Sequence, residues 1–388
     1  MFRIRTMNKI SPLGLDVFPR DKYEVASGIP NPDAILVRSE DLHSVEIPGT
    51  VLAIVRAGAG YNNIPVSACS GRGIAVFNTP GGNANAVKEL AIAALLLSSR
   101  NLLGGINWCQ TIADRADEVP ELVEQGKARF EGPELLGKTL GVVGLGAVGV
   151  MVANDAAALG MTVIGYDPFI SVDAAWNLSR SVVRADTLEG LLSKADYLSL
   201  HLPLGDTTKG LLNAEKLRFI KKGARIVNLA RGGLVNEADI IEALEEEKIA
   251  VYVTDFPSAE LLACPKVISI PHLGASTPEA EDNCAVMAAQ QLRDYLETGA
   301  VRNSVNLPRC SLERHASSRI TVINRNIPNM VGQITTILAG EKINILDLIN
   351  HHREDYAYNI IDTEQKIPDA TLEKIKKVEG IIRVRVIE

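Results

Sequence analysis

Short apolar runs closed by glycine or polar turn residues recur along the first two thirds of the chain, with stretches of helical periodicity between them. Residues 34–37, 51–55 and 73–78 have the continuous apolar character of parallel strands covered on both faces. A helix rich in Ala and Leu follows, from about residue 85 to about residue 103. These elements predict a small α/β domain over residues 1–98. Strands at 139–143, 162–166, 197–200, 224–229, 250–254 and 267–270, with helical patterns such as 237–246 between them, predict a doubly wound parallel sheet over residues 99–278. The helical run 277–297 is long enough to cross back to the first domain, so residues 279–306 are read as its return segment. Residues 307–317 are polar, contain proline and lack a period, and read as a linker. Beyond them, strands at 320–323, 343–349, 356–362 and 381–387 alternate with helices at 330–338 and 370–377. That rhythm predicts a ferredoxin-like βαββαβ module over residues 318–388.

One stretch of this pattern carries chemistry. Between Lys138 and Asp167 the chain runs strand, glycine turn, Ala-rich helix, strand and acid. Gly144 permits the tight turn, Gly146 lets the backbone approach a pyrophosphate, and Gly149 lets the helix pack on the strand. The helix N-terminus then faces the phosphates, where its dipole favours an anion. Asp167 follows Gly149 by 18 residues, about where a carboxylate accepts hydrogen bonds from the adenosine ribose. Glycines also mark ordinary turns, but both strands, the helix and the acid are in place. The pattern predicts a dinucleotide site that takes NAD.

Charge and cysteines narrow the class. A net charge of −7 argues against a nucleic-acid partner, which needs a basic face, yet leaves room for a small anion held by a few convergent cations. No charge-free run reaches membrane-spanning length, so no membrane partner is expected. The first residues lack a signal-peptide core, and the expectation is a cytoplasmic protein. Cys69, Cys109, Cys264, Cys284 and Cys310 are widely spaced, which favours reduced thiols over disulfides or a metal site.

Three segments close nucleotide-domain strands, where open α/β sheets bind ligands. Val227–Gly233 delivers Arg231 beside two glycines, and a guanidinium suits a bidentate carboxylate. The second segment places Asp255 and Glu260 in one turn, and the third holds His272 between Pro271 and Leu273. Singly, each is explained as a surface ion-pair former, a solvated acid or a loop histidine. Together, behind a dinucleotide motif, they make the set that an alcohol–carbonyl redox reaction requires.

At these residues the chain resembles the D-isomer-specific 2-hydroxyacid dehydrogenases. The supporting stretches are V-R-A-G-A-G-Y-N-N-I from Val55, F-N-T-P-G-G-N from Phe77 and the G-L-G-A-V-G fingerprint. Further ones are G-Y-D-P from Gly165, V-N-L-A-R-G-G from Val227 and P-H-L-G-A-S-T from Pro271. The likeness covers residues 1 to about 305, and it is strongest to members that oxidise a phosphorylated 2-hydroxy acid on the route to serine. It implies a Rossmann-type nucleotide domain, a flavodoxin-like discontinuous substrate domain, NAD as cofactor and a homodimer or homotetramer. It further implies His272 as acid/base, Glu260 as the carboxylate that tunes it, and Arg231 as holder of the substrate carboxylate. Thr79, Gly144, Gly146, Ala147, Val148, Gly149, Asp167, Leu202, Leu229, Ala230, Asp255 and Gly274 would line the cofactor. Arg56, Ala57 and Gly58, with Lys127, would hold the substrate's anionic group. The stretch between Glu260 and His272 is shorter than in many relatives, which implies a different mouth to the site.

The tail resembles an ACT module, a unit that senses amino acids, which implies L-serine as effector near Asn324, Asn326 and Asn344. Asn324 stands where His is usual and Asn329 where Gly is usual; Asn tolerates positive φ, so the turn is expected to survive. Removing residues 312–388 is expected to leave an active, serine-insensitive enzyme.

Overall fold

The computed structural model describes residues 1–314 and 318–387. The end of the expected linker, 315–317, and the final residue of the expected module, 388, lie outside the described residues. Two compact units divide the chain: Met1–Asn83 with Pro278–Glu388, and Ala84–Thr277.

The first unit holds two sheets. Strands β1 (Phe2–Met7), β2 (Tyr23–Ala26), β3 (Ala34–Val37), β4 (Ala53–Arg56) and β5 (Ala75–Phe77) lie parallel in the order β2-β1-β3-β4-β5. That is the flavodoxin-like order the likeness implied. The return helix Pro278–Thr298 lays Ala285, Ala288, Ala289, Leu292 and Leu296 into one core with Ile4, Leu36, Val55 and Phe77. β2 escapes the sequence pattern because only Tyr23 of its four residues is fully buried.

The second unit contains β6 (Thr139–Val143), β7 (Thr162–Tyr166), β8 (Val183–Arg184), β9 (Tyr197–Leu200), β10 (Ala224–Asn228), β11 (Ile249–Thr254) and β12 (Val267–Ser269). All pair in parallel, in the order β12-β11-β10-β9-β6-β7-β8, a Rossmann arrangement extended by one strand. The sequence predicts six of these seven strands; β8 has two exposed residues and no apolar run to announce it. The helix expected over 85–103 is two helices, Ala84–Ser99 and Leu102–Thr111, bent by 66° where the Asn101 side chain caps Gly104. The first of them packs on the helix Ala147–Ala158 and on β10 and β11, so it groups with the nucleotide sheet rather than with residues 1–83. Among the described residues, no single helix is long and apolar enough to cross a membrane.

The first unit's other sheet is the C-terminal module: β13 (Ser318–Arg325), β14 (Ile345–Arg353), β15 (Tyr356–Thr363) and β16 (Ile381–Ile387). They are antiparallel in the order β14-β15-β13-β16, with helices Met330–Gly340 and Asp369–Lys376 in the expected βαββαβ places. One face, with Ile320, Val322 and Ile361, covers Ile334, Leu338, Leu372 and Ile375 of those helices. The other face adds Ile323, Tyr358 and Ile360 to the core that holds Phe77 and Tyr295. The carbonyls at the end of the return helix are capped from the module: Arg385 donates to Tyr295 and Leu296, Arg319 to Thr298 at 2.9 Å, and the Tyr358 hydroxyl to Gly299 at 2.7 Å. Arg319 is wholly buried and bidentate on Asp362, at 2.6 and 2.7 Å.

The segment read as a linker is packed where it is described. Leu307 and Cys310 are buried, and Cys310 bridges Val301. Its backbone serves the fold, since the Leu312 and Glu313 carbonyls accept from Arg319 at 3.0 and 3.2 Å.

Candidate active site and nucleotide site

The fingerprint turn is built as its glycines require. Gly144 has φ +91°, and a Cβ there would stand 2.6 Å from the His201 carbonyl oxygen. A Cβ at Gly149 would collide with the Gly144 carbonyl, so close helix–strand packing needs glycine. Gly146 differs, because a Cβ would meet nothing within 4 Å. The protein itself leaves that space open. Gly146 starts the helix Ala147–Ala158 with no side-chain cap, so the first-turn amides beside exposed Ala147 and half-buried Val148 are free for an anion. Asp167 is fixed at the end of β7, accepting from the Leu145 amide and the Phe169 amide, each at 2.8 Å. Two bonds hold this carboxylate still while lone pairs remain for a ribose.

Next to Asp167 lies a cavity of about 290 Å³ lined by Leu145, Gly165, Ile170, Leu178, Val182 and Arg184, among others. It suits a flat apolar ring, and sequence reasoning missed it. Arg184 was invisible for the same reason as β8, which carries it.

Beneath the turn, the His201 ring shares a 2.8 Å hydrogen bond with the Ser199 hydroxyl, and burial lowers its pKa to about 4. An imidazole kept neutral when folded contributes stability that is complete above its ordinary pKa of ~6.5. That stability is lost as pH falls from there towards about 4. His201→Gln is therefore expected to flatten the acid limb of a Tm–pH curve across that window; an unchanged limb would refute the assignment.

The catalytic candidates meet at the ends of β10, β11 and β12. Arg231 follows β10 in extended conformation and donates to the Ala230 carbonyl at 2.6 Å. Leu229, beside it, is buried. Phe256 packs on Gly232, where a Cβ would lie 3.1 Å from the Phe256 Cβ, and its ring centroid is 4.7 Å from that of His272. The Arg231 and His272 loops thus share one aromatic spacer. His272 is exposed.

Asp255 is 1% exposed, and neither carboxylate oxygen has a hydrogen-bond partner among the described residues. Burial raises its pKa; the charges of His272 and Arg231 pull the other way, and burial prevails. Gly274 keeps room beside it, since a Cβ there would stand 3.7 Å from Oδ2. An orphaned acceptor at the bottom of such a site calls for a donor such as the carboxamide of a nicotinamide. With the uncapped helix and the open face at Gly146, the residues present fit a dinucleotide.

Glu260 departs from expectation. It lies exposed in the first turn of the helix Ala259–Ala263, and no hydrogen bond or ion pair joins it to His272 among the described residues. The Ser258 hydroxyl starts that helix by capping Leu261 and donates to Glu237 at 2.6 Å, which fixes where Glu260 begins.

In the first unit, the loop after β4 is shaped from inside. Arg56 donates from Nε to the Arg38 carbonyl at 2.8 Å and from Nη1 to the Gly60 carbonyl at 2.7 Å, so it clamps its own loop. The Ala57 and Gly58 amides are engaged by Val37 and Arg56. The amides of Ala59 and Gly60 have no backbone acceptor among the described residues. Thr79 is fully buried, its amide donating to the Gly58 carbonyl. Lys127, in the second unit, is exposed and paired with Glu124.

The three asparagines of the module do not converge. Asn324 is buried, donating to the Arg325 carbonyl at 2.6 Å and accepting from Asn359 at 2.7 Å, with Asn350 bonded to Asn359 in turn. This ladder across three strands buries Asn324 and engages it within its own module. Asn326, at that same end, donates to the Glu354 carbonyl. Asn344 lies at the other end, beside Glu364, because β14 starts where β13 starts. Asn329 does adopt φ +65°, so the left-handed turn forms without glycine.

A doubly wound sheet with an open phosphate turn, followed by Arg, an orphaned Asp and His at consecutive strand ends, defines a dinucleotide-dependent dehydrogenase architecture. Residues 101–274 match the model of the D-isomer specific 2-hydroxyacid dehydrogenase NAD-binding domain. Curated relatives include the D-3-phosphoglycerate dehydrogenases of Methanocaldococcus jannaschii and Bacillus subtilis, each 34% identical, over 84% and 81% of this chain. The chain spans 61% of the length of each of them. Among solved structures, an NAD+-bound 3-phosphoglycerate dehydrogenase from Entamoeba histolytica matches with a TM-score of 0.61 and 27% identity, over 80% of this chain and 99% of that one.

Proposed function

We propose that this chain oxidises 3-phospho-D-glycerate to 3-phosphohydroxypyruvate with NAD, the first step of phosphorylated L-serine biosynthesis. The observation that carries the chemistry is the buried, partnerless Asp255 carboxylate between Arg231 and His272. The relatives' shared activity supports the substrate. Asp167, the Gly144–Gly149 turn, Ala230, Leu202 and Asp255 hold the cofactor. A nicotinamide held by these residues would supply the acceptor for the hydride that leaves C2 of the hydroxy acid. Arg231 grips the substrate carboxylate as a planar fork, and His272 takes the hydroxyl proton as the C2–O bond becomes a carbonyl. The amides of Ala59 and Gly60, without a backbone acceptor among the described residues, suit an anionic substrate group.

A cytoplasmic location accords with five free cysteines. We further infer a homodimer or homotetramer and, at the C-terminal module, L-serine as effector, with Asn326 and Asn344 contributed by neighbouring modules because they lie at opposite ends of one. The experiment that tests the reading is a screen of phosphorylated and plain 2-hydroxy acids followed by NADH absorbance. Preference for glycerate, lactate or a bulkier acid would move the chain to another branch of the family.

NAD is expected over NADP, because the fixed Asp167 carboxylate repels a 2′-phosphate. With Arg184 lining the same cavity, Asp167→Ala should abolish the preference by raising catalytic efficiency with NADP. Equal efficiency with both cofactors before mutation would contradict the role given to Asp167.

A further inference from the structure

Arg231 owes its place to one buried amide. Asn228, the last residue of β10, is 0% exposed, and its side chain closes the turn that carries Arg231. Nδ2 donates to the Arg231 carbonyl at 2.9 Å and to the Tyr252 hydroxyl at 3.2 Å, while Oδ1 accepts from the Ala230 amide at 3.2 Å. Two bonds from one side chain thus fix the backbone on both sides of the Arg231 nitrogen, and a third ties that side chain to Tyr252. The Tyr252 anchor sits on β11, paired with Ile226 of β10 and three residues before Asp255. The same amide therefore links the strand end bearing the guanidinium to the strand end bearing the orphaned carboxylate. No other neutral side chain of this size offers two protons and a lone pair in one plane.

We propose that Asn228 is a positioning residue for the reaction. Through the Arg231 carbonyl, the Ala230 amide and the Tyr252 hydroxyl it sets the direction of the Arg231 guanidinium, and so the grip on the substrate carboxylate. It does not touch the substrate. The inference rests on Arg231 being the carboxylate holder. Bidentate pairing is directional, and a guanidinium displaced by about an ångström loses on the order of 10²-fold in rate.

The test uses the full chain with Asn228→Ala, Asn228→Asp, Tyr252→Phe and Arg231→Ala. Asn228→Ala is expected to raise KM for the hydroxy acid and lower kcat/KM by ~10–10²-fold, with NADH affinity, read by fluorescence, within about twofold. Tyr252→Phe keeps the two bonds nearest Arg231 and should lose less than about threefold. Asn228→Asp places an acceptor against the Arg231 carbonyl. Its deficit relative to the unmutated protein at equal pH should shrink as pH falls and the carboxyl regains a donor proton. A purely architectural role would give equal losses in NADH binding and kcat/KM, and a deficit independent of pH; either result overturns the proposal. Should Asn228→Ala fail to fold, the pH-dependent deficit of Asn228→Asp and the Tyr252→Phe result still decide it. If Arg231→Ala itself keeps kcat/KM, the assignment of Arg231 fails, which is a distinguishable outcome.

Discussion

His272→Ala is expected to lower turnover by ~10²–10⁴-fold, the usual contribution of a positioned general acid/base. Cofactor affinity should be retained, because the groups that fit the dinucleotide belong to the Gly144–Gly149 turn, Asp167 and Asp255. Steady-state kinetics beside NADH fluorescence titration checks both halves, and near-normal turnover would move the reaction centre elsewhere. Glu260→Gln gives the companion measurement. Contacts of catalytic groups often tighten only with substrate bound, so an exposed Glu260 remains a candidate to tune the imidazole. Loss of its charge should then lower the apparent pKa of the pH–rate profile. An unmoved profile would assign the tuning to Asp255, the carboxylate already coupled electrostatically to His272.

The second large effect concerns the C-terminal module. Removing residues 312–388 should unfold or severely destabilise the first unit instead of leaving an independent enzyme. Ile323, Tyr358 and Ile360 share a core with Phe77 and Tyr295, and burial of each such side chain is worth about 1.5–3 kcal/mol. The deletion also uncaps the return helix, which loses its bonds from Arg319, Arg385 and Tyr358. A Tm lower by on the order of 10 °C or more is expected from those losses together. A truncated chain melting within a few degrees of the full one would show that the module is only appended. Asp362→Asn is a milder probe. It leaves Arg319 buried without its counter-charge while one acceptor oxygen remains, and breaking such a pair costs about 3–5 kcal/mol.

Much of the fold was legible in the sequence because buried parallel strands advertise themselves. β3, β6 and β9 are buried along almost every residue, and their apolar runs stand out from the turns. The dinucleotide turn was legible for a stricter reason: two of its glycines answer to steric demands inside the protein, and the third to open space. What was hidden is polar and short. Asn228 reads as an ordinary strand-end residue, and only the folded chain shows three bonds converging on it. The charge of Arg56 suggested an anion holder, but its donors are taken by carbonyls four residues ahead and 18 behind, which no composition reveals. The supposed linker misled for the same reason, since Leu312 and Glu313 look solvent-facing until Arg319 is seen to hold their carbonyls.

The division of the chain into units fixes an order in time. Residues 84–277 are contiguous, so everything the nucleotide sheet needs has been synthesised once Thr277 is made. The first unit is begun earlier and completed last: the Val76 amide waits for Asn306, 230 residues on, and the Val51 carbonyl waits for Arg383, 332 residues on. Contacts so distant in sequence close slowly. Until they close, the apolar strands β3, β4 and β5 lack the cover that the return helix and module bring. Maturation of the first unit should therefore be limited by residues 34–77, held open until Arg383 has left the ribosome.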